Sequence, residues 1–448
     1  MLFVPAPRIL LRTKTTGSTD WTRFDASRIK SLKFIDSEKQ ADRLTLEIRN
    51  DDELFPDDLT FDLGNTIRAQ WGSKSLRPER EFVVQKWFAG VPVFKVEAFG
   101  AAILFHREQR VQSWQNQRRS DVVREIATRN GIAPDKQFIE DTEEVQTVIH
   151  QGGKKGGQTD AEFCRLLAKK ESSNGTQFIF YVINGEWHFH RRKYDQQPRR
   201  TLVFIGNGMG DMRAYPQFEA TAMPTSKAGA AAGTGGIKAA GIDPLTQQPI
   251  ETAANNDTTK GRPGLSDQVL VIDRQSGATS YQTSQNLATP TSTNAAALGT
   301  SAASVATLGG AKTPKEAEKA TTAAFSTANA HPVKCSVPIT GDATLEAKTI
   351  ITLVGVSKRL AGPWYIAELE DTVTPGDYVT ALKLTKDGLN KGGAKGENAT
   401  NPTDANKESA ASLNKQSAAD GQQLEERLTL NDQSGERRVS FVPQGVTQ

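Results

Sequence analysis

Gly64-Asn65-Thr66-Ile67-Arg68-Ala69-Gln70-Trp71-Gly72 reads as a strand with Ile67, Ala69 and Trp71 on one side, and it has an echo far along the chain. Glu346-Ala347-Lys348-Thr349-Ile350-Ile351-Thr352-Leu353-Val354-Gly355 repeats its Thr-Ile pair with a Gly five residues further on. Aromatic-bearing strand patterns follow both. Two similar β modules in one chain would leave such a trace, and so would a three-residue coincidence.

Outward from the first copy, residues 1–110 are strands and turns. Arg43-Leu44-Thr45-Leu46-Glu47-Ile48-Arg49 alternates with period two, which puts Leu44, Leu46 and Ile48 on one buried face. Asn50-Asp51-Asp52 ends that strand with side chains that bond their own backbone. Residues 81–89 and 92–106 continue as a meander, broken at Gly90-Val91-Pro92 and Gly100. Around the second copy, Thr349–Gly355, Trp364–Leu369 and Tyr378–Leu384 read as strands, separated by Gly362-Pro363 and Pro375-Gly376-Asp377.

Between these regions the pattern changes. Ser120 is placed to cap a helix carrying Val122, Val123, Ile126 and Ala127, which Gly131 ends. Thr159-Asp160-Ala161-Glu162 is a capping box opening a second helix, with Phe163, Leu166, Leu167 and Lys170 on one face. Ser172-Ser173-Asn174-Gly175 stops it. Gln177–Ile183 and Glu186–Arg191 then form a hairpin about Asn184-Gly185, the residue pair suited to a turn with positive φ at both positions. This is a small α+β module. Residues 224–330 are rich in Ala, Thr, Gly, Ser and Asn, too poor in large apolar side chains to offset ordering entropy, although Pro314–Ala330 has better helix formers. Beyond Gly388 the chain is polar, with two short strand candidates at the end, Arg427–Leu430 and Val439–Val442.

Composition narrows the function. Hydrophobic residues make up 37% of the 448, and 55 basic against 52 acidic residues leave a net charge of +3, so the whole chain carries no nucleic-acid footprint. The basic runs Arg118-Arg119, Arg191-Arg192-Lys193 and Arg199-Arg200 read as solvated faces or subunit contacts. Two distant cysteines, Cys164 and Cys335, exclude a disulfide scaffold and a cysteine zinc site, and fit a reducing cytoplasm. No apolar run is long enough to span a membrane, and Met1–Pro7 lacks the features of a secretory signal, so no membrane insertion or general export is expected.

No group of residues forms a catalytic pattern. His188 and His190, at i and i+2 of a strand, share one face and could offer two metal ligands, but no third is visible; the alternative is a solvated face with Trp187 and Phe189 turned to the core. Gly206-Asn207-Gly208-Met209-Gly210-Asp211 follows the apolar strand Thr201–Ile205, yet lacks a dinucleotide spacing and a following helix. The acidic pairs Asp51-Asp52, Asp57-Asp58 and Glu143-Glu144 are adjacent, whereas glycoside chemistry needs carboxylates set apart across a cleft. Cys164 reads as a small core residue. The expectation is no catalytic, cofactor-binding or metal residues, no cofactor and no enzyme activity.

The arrangement resembles the phage late control protein D family of baseplate hubs. The resemblance rests on Ser120-Asp121-Val122-Val123-Arg124-Glu125-Ile126-Ala127, Val145–Gln151, Thr159–Ala168, Phe178–Phe189, Ile339-Thr340-Gly341-Asp342, Ile350–Gly355, Ala361-Gly362-Pro363-Trp364-Tyr365-Ile366 and Gly376–Leu384. It implies a mainly β fold with an α+β insert, containing two related tube-type β-barrel domains. Residues 1–110 with 200–222 would form the first barrel, 111–199 the α+β domain, 223–313 a low-complexity flexible excursion, 314–386 the second barrel with a leading helix, and 387–448 a flexible tail with a terminal hairpin. It further implies a homotrimer in the virion tail baseplate, assembled in the host cytoplasm. Its partners would be a central spike protein, a tail tube or tube-initiator protein and other baseplate components. Whether DNA passes through the ring, without specific binding, stays open. The alternatives are a hub of a type VI or extracellular contractile injection system, a tail-associated peptidoglycan hydrolase, and a receptor-binding tail protein. Cys164 stands where the family usually has a larger aliphatic residue, and the loop Gly152–Gly157, the excursion and the tail are additions to its pattern.

Overall fold

The computed structural model describes residues 6–53, 55, 57, 59–106, 108–152, 157–173, 176–194, 196–205, 210–220, 237–242, 247, 249–254, 268–272, 279–286, 304–306, 314–328, 333–357, 360–386, 388–390, 429–431 and 438–440. The first β segment comprises β1 (Arg8–Lys14), β2 (Thr22–Phe24), β3 (Ile29–Ser37), β4 (Arg43–Arg49), β5 (Thr66–Gly72), β6 (Arg80–Phe88) and β7 (Val93–Gly100). The insert follows as β8 (Gln109–Arg110), β9 (Gln112–Arg118), α1 (Arg119–Arg129), β10 (Gln137–Ile139), β11 (Val145–Gln151), β12 (Gln158–Thr159), α2 (Asp160–Lys169), β13 (Ser172–Ser173), β14 (Thr176–Ile183) and β15 (Glu186–Arg191). Next come β16 (Thr201–Val203), β17 (Gln217–Ala220), β18 (Ile237–Ile242), β19 (Pro249–Ala254), β20 (Gln268–Ile272), β21 (Thr279–Asn286), β22 (Ser304–Ala306) and α3 (Pro314–Ala328). The chain closes with β23 (Val333–Thr340), β24 (Ile350–Val354), β25 (Gly362–Thr374), β26 (Asp377–Lys386), β27 (Gly388–Asn390), β28 (Thr429–Asn431) and β29 (Arg438–Ser440). The protein is mainly β, with an α+β insert.

The β segments repeat one strand order. In the first, neighbours run β3-β4-β7-β6-β5-β1; in the second, β17-β23-β26-β25-β24-β16. Each step has its counterpart, and each repeat carries a bulge at the same place. The β6–β7 ladder shifts between Val84 and Lys86, and the β25–β26 ladder between Ile366 and Glu368. One sense differs: β1 meets β5 antiparallel, whereas β16 meets β24 parallel. The repeats join edge to edge where β25, past its bulge, pairs with β3, so thirteen strands form one sheet. Period-two alternation then puts one side of both repeats into a single core that includes Phe34, Leu46, Trp71, Phe94, Val337, Leu353, Trp364 and Leu369.

The ladders also test the Thr-Ile echo. Aligned on the bulges, Thr66 opposite Val83 matches Ile350 opposite Tyr365, so Ile67 corresponds to Ile351 and not to Ile350. The echo is one residue out of register, and one residue reverses the face. The duplication lies in the topology; the matched letters are coincidental.

The insert has its own core, built by α1, α2 and the β14–β15 hairpin around Val122, Val123, Ile126, Phe163, Leu167, Phe180 and Trp187. The capping box is present: Thr159 Oγ1 accepts from the Glu162 amide and the Glu162 carboxylate from the Thr159 amide. Asn184 and Gly185 take φ of 49° and 78°, as their turn requires. Ser120, in contrast, is not a cap; α1 begins one residue earlier, and Ser120 trades two hydrogen bonds with Thr142. On α2, Phe163, Cys164 and Leu167 are buried, while Leu166 is only partly so. The meander strand expected over 92–106 stops at Gly100, and 101–106 is a 3-10 turn.

Two compact units divide the chain, residues 1–271 with 281–390 and residues 272–280 with 391–448. In the second, β28 and β29 pair antiparallel with Leu430 opposite Val439. Much of the expected excursion and tail lies outside the described residues. Within 223–313, β18 pairs with β19 along its whole length and with β22. A helix is present where one was expected to lead back, α3; it lies against β19 and β18 as well as β13 and β14 of the insert, and Ser172 Oγ donates to Lys319 O at 3.2 Å. Its Lys315 and Lys319 pair with Glu144 and Glu143, each at 3.7 Å, which is the role that acidic pair takes.

Candidate assembly surfaces

The residues with a conceivable chemical role go to structural tasks. His188 and His190 do share a face, but it is not solvated. The His188 ring stacks between Phe138 and Tyr181, with centroids 4.8 Å and 4.6 Å away. Burial, aided by the neighbouring His190, pushes its pKa down to about 3, so it stays neutral. His190 is fixed by the Arg191 carbonyl at 2.7 Å and the Tyr181 hydroxyl at 3.1 Å. Trp187 and Phe189 face the core. Among the described residues no group of three His, Cys, Asp or Glu is placed to hold a metal.

Most of the glycine loop, residues 206–209, lies outside the described residues. At its end Asp211 accepts from the Val203 amide at 3.0 Å and from Arg200 at 2.8 Å. Asp52 pairs with Arg28, and Asp58 is outside the described residues. Cys164 is fully buried, and burial raises its thiol well above the usual range. Burial pushes Cys335 up to about 12.

Each of the first two basic runs has one member turned inward, Arg119 and Arg192, while Arg118, Lys193 and Arg199 are exposed. Buried Arg119 binds Glu171 at 2.9 Å. Buried Arg192 holds Glu38 at 2.7 Å and 3.1 Å, and Tyr365 Oη donates to the same carboxylate at 2.7 Å. Arg199 meets Glu346 at 2.8 Å, and Arg200 meets Asp342.

The strongest polar cluster sits where the β repeats meet. Arg77 is fully buried between Phe34 and Trp71 and donates to Asp371 Oδ2 from Nη2 at 2.7 Å and Nε at 3.0 Å. Its Nη1 donates to Leu345 O at 2.6 Å. Asp371 also accepts from Trp71 Nε1 at 2.8 Å and Thr380 Oγ1 at 2.6 Å. Beside it, Asp36 takes the Lys348 ammonium and the Ala347 amide, and Arg80 bridges Asp42 at 3.0 Å to Glu346 at 3.2 Å. Burial works against ionised Asp36, yet the Lys348 and Arg80 charges hold it at about 2. Burial and the charge on Asp36 raise Asp42 to about 6. Three cations and four carboxylates with their hydrogen bonds thus join residues from both halves of the chain. Removing one partner of its buried pairs, such as Asp371 or Asp36, leaves the other charge buried and unpaired.

Among the described residues an apolar concentration lies at the end of a strand. Trp87 and Phe88 of β6 and Val91 of the following turn are exposed together. Trp87 stacks on the core ring of Phe94 with centroids 5.8 Å apart, and Lys86 lies over the Phe88 ring at 4.3 Å. Sequence reading marked this turn as a break and assigned it no role; the apolar run Trp87-Phe88 at a polar turn was the available signal.

No protein-family model matches the sequence, and no curated protein matches it significantly. Two solved structures share its architecture over most of its length. The tail protein from Neisseria meningitidis has 8% sequence identity and a TM-score of 0.55, covering 85% of this chain and 97% of its own. The tail protein of prophage MuSo2 from Shewanella oneidensis has 12% identity and a TM-score of 0.52, covering 86% and 99%. The chain has a phage tail-protein fold. At these identities the likeness resides in the path of the backbone and not in shared side chains.

Proposed function

We propose that this chain is the structural baseplate hub of a contractile phage tail, a trimeric adaptor between the six-fold tail tube and the three-fold central spike. The observation that carries the reading is the repeated strand order with its repeated bulge, set in a tail-protein fold. A chain with two equivalent modules lets three copies present six alike surfaces to one partner, while the insert appears only three times and suits a three-fold partner. Closed symmetry of this kind fixes copy number through the interface geometry.

His188, His190, Cys164 and Cys335 are engaged in packing, and Asp52, Glu143 and Glu144 in pairing, in keeping with a scaffold and not an enzyme. Sedimentation equilibrium of the full chain tests the reading. Three chains per particle, binding tube protein and spike protein at opposite ends, is the expected result. A strict monomer at high concentration with spike protein present would overturn it.

A further inference from the structure

The repeat contains one seam inside the chain and the two halves of a second seam that no described strand of the chain closes. At the internal seam, β25 past its bulge pairs antiparallel with β3, placing Leu369 opposite Asp36 and Asp371 opposite Phe34. Leu369 and Phe34 are fully buried there.

The corresponding edges are β6 past its bulge and β17. Aligned on the bulges, Lys86, Trp87 and Phe88 take the places of Glu368, Leu369 and Glu370. The ladders through β4 and β23 then match Phe34 with Phe218 and Asp36 with Ala220. Among the described residues, β5 pairs with β6 only as far as Val83, and β17 has β23 as its one strand neighbour. The uncovered state is visible in the side chains. Trp87 is 37% exposed where Leu369 is 0%, and Phe218 is partly buried where Phe34 is 0%.

We infer that these two edges complete each other between copies of this chain. Lys86–Phe88 of one copy pairs antiparallel with β17 of the next, in the register of the internal seam. Trp87 then lies opposite Ala220, and Ala89 opposite Phe218. The contact is head-to-tail, and because it repeats the relation already present within the chain, it continues the same rotation around a ring. It also explains how an exposed sheet edge escapes uncontrolled strand addition: its occupant is specified by side-chain shape and register. The inference deepens the hub reading and rests on it.

The test places Trp87→Cys on one tagged full-length chain and Ala220→Cys on another, mixes the chains during expression and oxidises the product. Directly opposed strand residues lie about 4.5–5.5 Å apart at Cα, within the roughly 4.4–6.8 Å a disulfide accepts. The expected result is a cross-link between the two tags, and covalent species up to a trimer when both substitutions share one chain. The slipped pair Phe88→Cys with Ala220→Cys should cross-link about tenfold less, since one residue turns the side chain to the other face. In the unsubstituted protein, amide exchange at Lys86–Phe88 and Phe218–Ala220 should slow on assembly. A trimer in which neither cross-link forms, or both form equally, or these amides exchange as fast as in the dilute chain, would overturn this pairing and leave the hub reading standing. Absence of any oligomer would overturn both.

Discussion

Leu369 and Phe34, at the seam between the two β repeats, are sealed from water, whereas Trp87 and Phe218, at the matching positions of the open edges, are not. The same design thus has a finished and an unfinished copy in one polypeptide. At the finished seam the core is backed by Arg77, Asp371, Lys348 and Asp36, which bond from one repeat to the other. At the open edges no such buried ion pair among the described residues backs the aromatic rings: Trp87 and Phe88 are exposed beside Lys86, and Phe218 is partly buried between Gln217 and Glu219. An internal junction has to be unique, and buried ion pairs serve uniqueness better than stability. An edge awaiting a partner instead needs removable apolar area, which pays only on contact.

That contrast can be broken from several directions. The largest effect is expected from Asp371→Ala, which strands the Arg77 guanidinium in the core: a loss of about 3–5 kcal/mol in denaturant unfolding, of the size typical for one partner of a buried pair. Glu370→Ala, next to it but in the half-exposed pair with Lys33, should cost no more than about 1 kcal/mol. Equal costs would show that the seam is not organised by burial.

Leu369→Ala should destabilise the single chain by about 2–5 kcal/mol, as buried leucine truncations do. Trp87→Ala should leave the stability of the dilute chain within about 1 kcal/mol and act on assembly, read as a weaker self-association by sedimentation. If both substitutions acted alike on the dilute chain, the edges would not differ as described.

The carboxylates at the seam make stability depend on pH. Asp42 lies at about 6 in the folded chain, above about 3.9 in an unfolded one, so the folded state holds the extra proton between those values. Stability therefore falls as pH rises from about 4 to about 6. Asp36 is held at about 2, so its contribution is present above about 4 and is lost as pH falls towards 2. Asp42→Asn should flatten the upper slope in urea titrations across this range; an unchanged slope would contradict the assignment. The smallest effect is at a distance from the seam: Thr159→Ala removes half of the α2 capping box and should cost about 1 kcal/mol in thermal or urea unfolding.

Local chemistry made parts of this legible in the sequence. The Asn184-Gly185 turn, the Thr159–Glu162 box and the alternation of Leu44, Leu46 and Ile48 each depend on residues near one another, and all three take the form expected. What sequence could not carry was pairing across distance. Arg119 and Arg192 look like surface charge until Glu171 and Glu38 arrive from elsewhere in the chain. The two-module expectation came from a resemblance and a letter echo; the ladders uphold the repeat and reject the echo, because register is fixed by side-chain facing and bulge position. The length of β25, which crosses from β24 to β3, was hidden by the bulge that divides its alternation.

The most direct measurement of the central claim is rotational analysis of electron micrographs of the purified full-length chain viewed down the particle axis. The account predicts a closed ring of six similar β lobes with strict three-fold symmetry, one insert for every two lobes. Rings with any other number of lobes, or particles in which the two β segments of a chain occupy unlike positions about the axis, would contradict it.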